Sequence, residues 1–179
     1  MKKRTHFRFA VVAALVASLT VAGVAVGSAA SSSAADPNIV VVLKGPGALM
    51  AEPPVAGALC YETDLYDAHT DKIIGSGIDC LADITGVDAG FLINRTTIFS
   101  FPQGTLYANG LTSVQPTTGG SPDVTHIVGD IPTDGFNNVV MGTGMFKKAT
   151  GSVRLSGAVG MASFPGAIEF NCVFVIDLD

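Results

Sequence analysis

Residues 65–80 read LYDAHTDKIIGSGIDC, which is the composition of a β-hairpin. The centre of this stretch, 67–72, is rich in Asp and Thr. These residues favour turns because their short side chains bond to nearby backbone groups. The runs on either side contain Tyr, Leu, Ile and Thr, which suit pleated, half-buried positions. The stretch therefore predicts two strands, 57–67 and 72–84, joined by a tight turn.

The same pattern continues through the rest of the chain after residue 36. Short runs rich in Val, Ile, Thr, Phe and Tyr alternate with clusters of Gly, Pro, Asn and Asp. No stretch repeats apolar residues at helical spacing. The run 166–178, GAIEFNCVFVIDL, places apolar residues at every second position from Ile168 to Leu178, which predicts a strand with one packed face. The other predicted strands are 39–44, 90–101, 104–115, 123–131, 139–146 and 151–162.

Strands with one packed face can close into a barrel, which removes exposed sheet edges. We therefore predict an all-β domain of antiparallel strands, eight or so of which can close into a single β-barrel. The stretches 116–122 and 132–138 are rich in Pro, Gly, Asp and Thr and are predicted to be loops.

The first 35 residues have the pattern of a secretory signal peptide. Four basic residues within the first eight precede an apolar run over 9–26, and small residues offer cleavage between Ala29 and Asp36. An uncleaved membrane anchor is the alternative, because the run has about the 17 to 25 residues that a spanning helix needs. We expect a secreted or otherwise extracytoplasmic barrel domain over 36–179, with no membrane span after cleavage.

The expected mature chain is acidic. Removal of four of the ten basic residues leaves six against 15 acidic ones, a net charge of −9. No basic patch remains, so we expect no nucleic-acid partner. The acidic surface favours solubility.

A series of short motifs resembles the barrel shared by plant allene oxide cyclases and dirigent proteins. The matching pieces are Leu-Tyr-Asp at 65–67, Lys-x-Ile-Gly at 72–75, the Gly and Cys of 77–80, Gly-x-Gly-x-Phe at 142–146, Val-x-Leu at 153–155 and Phe-Pro at 164–165. Each motif is weak alone, because glycines serve turns and bulges in many barrels. Their order and spacing resemble this superfamily over about residues 57–179.

The resemblance implies an eight-stranded barrel with an apolar central cavity, and it implies a possible homotrimer. It implies that Thr63, Cys80 and Thr112 line the cavity and contact a small hydrophobic ligand. Allene oxide cyclase activity is not expected, because Thr63 and Thr112 replace polar pocket residues of the enzymes and the stretch 38–44 lacks a carboxylate. Cys80 lies one residue closer to Leu-Tyr-Asp than in the enzymes, and such a slip can turn a side chain to the other face.

No other constellation predicts catalysis. His69 is interpreted as an exposed turn residue, with an acid, base or metal ligand as the alternative. His126 lies in an apolar run and is interpreted as a hydrogen-bonded wall residue or a cavity-lining acid or base. Neither histidine has a cysteine or carboxylate at ligand spacing, so we predict no metal and no cofactor.

Three cysteines lie outside the predicted signal peptide. Cys60 and Cys80 are equally distant from Thr70, so a hairpin centred there would place them opposite each other. An exported protein meets oxidising conditions, and we predict a Cys60–Cys80 disulfide, which would take Cys80 out of the cavity. Cys172 is then a buried free thiol.

Three hypotheses for the function stay open. The first is an exported barrel that binds a small hydrophobic ligand in its cavity. It would orient this ligand in the way that dirigent proteins orient radicals. The second is an isomerase or cyclase without a cofactor, which folds a flexible substrate by orientation alone. The third is a structural or cell-surface module with a filled core. Small residues in two strands, Ala108, Gly110, Gly157 and Ala158, leave room for a cavity and disfavour the third hypothesis.

Overall fold

The computed structural model describes residues 38–88, 90–117, 123–131 and 137–179. The predicted signal peptide over 1–35 and its cleavage lie outside these residues, as do most of the predicted loops at 116–122 and 132–138. Within the described ranges, no helix has the length and apolar character needed to cross a bilayer.

The described residues form nine strands and one short 3₁₀ turn, and every predicted strand has a counterpart. The strands are β1 Ile39–Leu49, β2 Leu59–Asp67, β3 Ile73–Val87, β4 Gly90–Phe101, β5 Gly104–Pro116, β6 Val124–Ile131, β7 Val139–Gly142, β8 Gly151–Gly160 and β9 Ala167–Leu178, with the 3₁₀ turn at Gly144–Phe146.

The second half of the predicted strand 139–146 is wrong, because the chain turns there. Gly144 has φ +56, a left-handed conformation that glycine adopts without a side-chain clash. The Phe146 amide donates to the Thr143 carbonyl at 2.9 Å. This turn brings the Phe146 ring against that of Phe101, with 5.4 Å between ring centroids.

The strands close into an antiparallel barrel. Neighbours in sequence pair from β1 to β6, β6 pairs with β8, β8 with β9, and β9 returns to β1. The predicted all-β, eight-stranded antiparallel barrel is confirmed, with β7 as one additional short strand. We call one end of the barrel the open end. It is formed by the ends of β1, β3, β5 and β8 and the starts of β2, β4, β6 and β9. The opposite end is the closed end.

β6 and β7 share the same neighbour in the wall. β6 pairs with the second half of β5, whereas β7 pairs with the first half. Asn138, just before β7, joins this half to β8: its side-chain amide donates to the Val153 carbonyl at 2.8 Å and its side-chain oxygen accepts from the Val153 amide at 2.6 Å. These two side-chain bonds take the place of a pair of strand-to-strand backbone bonds. They connect the chain before β7 to β8 in the part of the wall that β6 does not reach.

The predicted alternation in the last strand is confirmed. Ile168, Phe170, Cys172, Phe174 and Ile176 of β9 are buried, while the residues between them face outward. Burial of each of these Ile and Phe side chains contributes about 1.5–3 kcal/mol.

The closed half of the barrel interior is filled. The Phe99 and Phe174 rings meet edge to face, with 5.1 Å between centroids. The Leu43 side chain occupies the space in which a side chain at position 77 would lie, so a larger residue at Gly77 would displace Leu43. Fully buried Val41, Leu65 and Leu106 complete this layer.

The hairpin turn forms as its sequence predicts. One Asp67 carboxylate oxygen accepts from the amides of His69, at 3.1 Å, and Thr70, at 2.7 Å, and from the Thr70 hydroxyl at 2.7 Å. The bonds from Thr70 hold the pKa of the Asp67 carboxyl below its ordinary value. His69 is exposed in this turn, as interpreted from the sequence.

The predicted disulfide between Cys60 and Cys80 is confirmed. The two residues stand directly opposite in the β2–β3 pairing. They form a second small apolar cluster with Ala58, Met50 and Val55 of the β1–β2 connection. Cys172 is the buried free thiol.

We expect replacement of both Cys60 and Cys80 by alanine to lower the free energy of unfolding by about 2–4 kcal/mol, because the bridge restricts the unfolded chain. Urea unfolding of the oxidised wild type and the variant measures the difference. In parallel, the unfolded wild type should expose one reactive thiol without reductant and three with it. Equal stabilities, or three thiols without reductant, would contradict the assignment.

Candidate functional site

The barrel interior contains a cavity of about 230 Å³ at the open end. Its wall is almost wholly apolar, and aliphatic side chains from β3, β4, β5, β6, β8 and β9 contribute to it. Its described lining residues are Asp79, Leu81, Ile84, Phe91, Ile93, Arg95, Thr112, Val114, Ile127, Val159, Met161, Phe164 and Ile168.

Two aromatic side chains line the cavity and also reach the surface. Phe91 is 50% exposed and Phe164 is 39% exposed. Phe164 belongs to the β8–β9 connection. The buried Tyr61 holds this connection, because the Tyr61 hydroxyl donates to the Pro165 carbonyl at 2.8 Å. Burial raises the pKa of the Tyr61 phenol, so this hydroxyl keeps its proton at neutral pH. The hydrogen bond therefore fixes one side of the cavity mouth.

The floor of the cavity is a buried ion pair. Arg95 on β4 and Asp79 on β3 are each only 3% exposed, and the Arg95 Nε lies 2.7 Å from an Asp79 carboxylate oxygen. Thr97 joins both: its hydroxyl oxygen accepts from the Arg95 Nε at 2.9 Å and Nη2 at 2.7 Å, and the hydroxyl donates to Asp79 at 3.2 Å. The charges are thus paired and hydrogen-bonded, as buried charges must be.

The same guanidinium contacts the filled half of the barrel. Its central carbon lies 4.9 Å from the centroid of the Phe174 ring, within the range of a cation–π interaction. Arg95 therefore separates the open half, which contains the cavity, from the closed half, which is packed with side chains.

Burial shifts the titration of the groups around this floor. It raises the pKa of the Asp79 carboxyl, against the opposing effects of the Arg95 guanidinium and the Thr97 hydroxyl. Burial, with a smaller contribution from the Asp79 charge, raises the pKa of Cys172 to about 12. The Cys172 thiol is therefore protonated at neutral pH and is a poor nucleophile.

The three residues that the family resemblance implies as cavity-lining are not brought together. Thr112 lines the cavity, and its buried hydroxyl has no hydrogen-bond partner among the described residues. Thr63 is buried, but its hydroxyl donates to the Lys44 carbonyl at 3.4 Å and it does not line the cavity. Cys80 faces the outside of the barrel, where it is bonded to Cys60. Ligand contact by these residues stays a prediction.

His126 points away from the cavity. It is exposed on the outer face of β6, whereas the next residue, Ile127, lines the cavity. No group of three or more metal-ligating side chains occurs among the described residues.

The sequence analysis did not identify Arg95 and Asp79 as site residues, although the alternation in β4 indicated a buried charge. Ile93, Arg95, Thr97 and Phe99 occupy every second position, so Arg95 shares a face with apolar residues. A charged residue on such a face needs a counter-charge on a neighbouring strand. Asp79 supplies it, because it stands opposite Thr97 in the β3–β4 register.

Comparisons with known proteins do not assign this site. No family model matches the chain, and a search of curated proteins gives no significant match. Membership of the allene oxide cyclase and dirigent superfamily stays a prediction, and the function must be inferred from the cavity.

We expect Asp79→Asn to lower the free energy of unfolding by about 3–5 kcal/mol, because it removes one partner of a buried ion pair. The double variant Asp79→Leu/Arg95→Met should lose less, since it removes both charges. Urea unfolding of the three proteins gives the comparison.

The matched control for this variant is Asp71→Asn at the surface. Asp71 pairs with Lys44 at 3.4 Å, with side chains that are 74% and 54% exposed. Exposed pairs contribute at most about 1 kcal/mol. Equal losses for Asp79→Asn and Asp71→Asn would show that the buried pair does not stabilise the barrel.

Proposed function

We propose that the protein binds a small apolar molecule in the cavity at the open end of its barrel. The observation that carries this proposal is the cavity of about 230 Å³, with an almost wholly apolar wall and with Phe91 and Phe164 at its mouth. Concave apolar cavities with a few polar groups are the usual sites for small ligands.

The volume limits the size of the ligand. A cavity of about 150 Å³ lined by aliphatic and aromatic side chains accepts benzene, whereas drug-sized ligands occupy roughly 300–1,000 Å³. A cavity of about 230 Å³ therefore fits a substituted single ring or a short branched chain.

The cyclase and structural hypotheses receive less support. The charged lining residues, Asp79 and Arg95, bond to each other and to Thr97, so they are poorly placed to transfer protons to a substrate. A filled core describes the closed half of the barrel but not the open half. The residues that suggested a cavity from sequence, Ala108, Gly110, Gly157 and Ala158, do not line it.

We infer that this binding takes place outside the cytoplasm. The Cys60–Cys80 disulfide supports it, because disulfides persist in oxidising compartments. The signal-peptide pattern of 1–35 supports it independently, and a homotrimer remains part of the proposal on the family resemblance alone.

The chain contains no tryptophan, so a single introduced Trp can both fill the cavity and report its own environment. Ile127 is 4% exposed and lines the cavity, whereas Val128 is 42% exposed on the outer face. We expect Ile127→Trp to show the blue-shifted fluorescence of a buried indole and to weaken binding of 4-ethylacetophenone at least about tenfold, because the indole occupies the ligand space.

Val128→Trp is the matched control, with solvent-like fluorescence and wild-type binding. Titration calorimetry of the probe into the wild type and both variants makes the measurement. Failure of the wild type to bind the probe, or equal binding by the two Trp variants, would contradict the proposal.

A further inference from the structure

We infer that the cavity selects an electrically neutral ligand and rejects an anion of the same shape. This inference rests on the proposed function, because it specifies the chemical class of the molecule that the cavity binds. The ligand class is a neutral, hydrocarbon-rich molecule, such as a substituted ring bearing a hydroxyl, ether or ketone group.

The described floor residues supply no net charge that would attract an ion. Among the described lining residues, Asp79 and Arg95 alone are charged, and their charges compensate each other across 2.7 Å. Thr97 further occupies the Nε and Nη2 donors of Arg95. A carboxylate that approached the floor would have to compete with Asp79 for the guanidinium, at a distance where two carboxylates repel each other.

The described wall residues offer little to replace the hydration of a charge. Between floor and mouth the cavity is lined by aliphatic side chains, and Thr112 is the one uncharged polar residue among the described lining residues. Transfer of an unpaired ion from water into such surroundings is strongly unfavourable, whereas transfer of a ketone or hydroxyl is much less so. The walls therefore discriminate by charge as well as by size.

The mouth also disfavours anions. Asp83 and Asp88 lie on the last part of β3 and the β3–β4 turn, and Asp123 directly precedes β6, all at the open end. Lys72, Lys147 and Lys148 lie at the closed end, before β3 and β8. An anion that left its charged group at the mouth would thus meet like charges, which weakens its binding.

Two probes of matched shape test the inference. 4-Ethylacetophenone is neutral, and 4-ethylbenzoate replaces its methyl ketone by a carboxylate. Each is titrated at pH 7 into the full-length mature protein with ¹³C-labelled isoleucine methyl groups. Ile84, Ile93, Ile127 and Ile168 line the cavity and report binding there, whereas Ile176, in the filled half, is the internal control.

We expect the ketone to shift the methyl signals of the cavity isoleucines and the benzoate to bind at least about tenfold more weakly, since an unpaired buried charge is costly. Benzoate binding within threefold of the ketone, or tighter, would overturn the inference but leave the proposed function intact. Binding of neither probe would instead contradict the proposed function.

The variant Asp79→Asn tests the physical cause separately. It raises the charge of the floor by one unit, so the affinity for benzoate should rise at least about tenfold relative to that for the ketone. An unchanged ratio in the folded variant would show that the floor does not set the selectivity. If the variant does not fold, the comparison of the two probes with the wild type still decides the inference.

Discussion

The buried ion pair between Arg95 and Asp79 is the constraint on which the interior of this barrel depends. Two charges inside a β-barrel are tolerated only when they are close together and hydrogen-bonded. The Arg95–Asp79 separation of 2.7 Å and the hydrogen bonds that Thr97 accepts from Arg95 and donates to Asp79 meet both conditions. Their position between the two ends decides how the space on either side is used: toward the closed end Arg95 contacts the Phe174 ring, and toward the open end the pair forms the floor of the cavity.

The two halves of the barrel therefore have different roles. The closed half, with Phe99, Phe174 and Leu43, is packed with buried apolar side chains that stabilise the fold. The open half is less densely packed, because the side chains that line the cavity lack dispersion contacts on their empty side. Such a loss is expected where a ligand completes the packing. The Tyr61–Pro165 hydrogen bond holds the mouth on one side.

Much of the fold followed from alternation in the sequence, but the cavity did not. The period of two in residues 166–178 correctly placed Phe170 and Phe174 inside, and the symmetry of the hairpin about Thr70 correctly paired Cys60 with Cys80. Cavity volume depends on which side chains meet across the barrel, which one strand does not reveal. Gly157, for example, is small but lies against the backbone of Asn171 and leaves no open space. The role of Arg95 was not predicted because its counter-charge, Asp79, is on β3. Only the β3–β4 register brings the two side chains together.

The most direct test of this account is a crystal structure of the protein under xenon pressure. Xenon enters dry apolar cavities and does not enter close-packed cores. We expect xenon density among Ile93, Ile127 and Ile168, on the mouth side of an intact Arg95–Asp79 pair, and none between Phe99 and Phe174. Xenon in the closed half, or an open half already filled by side chains with Arg95 turned toward solvent, would show that the ion pair does not divide the barrel into a filled half and a cavity.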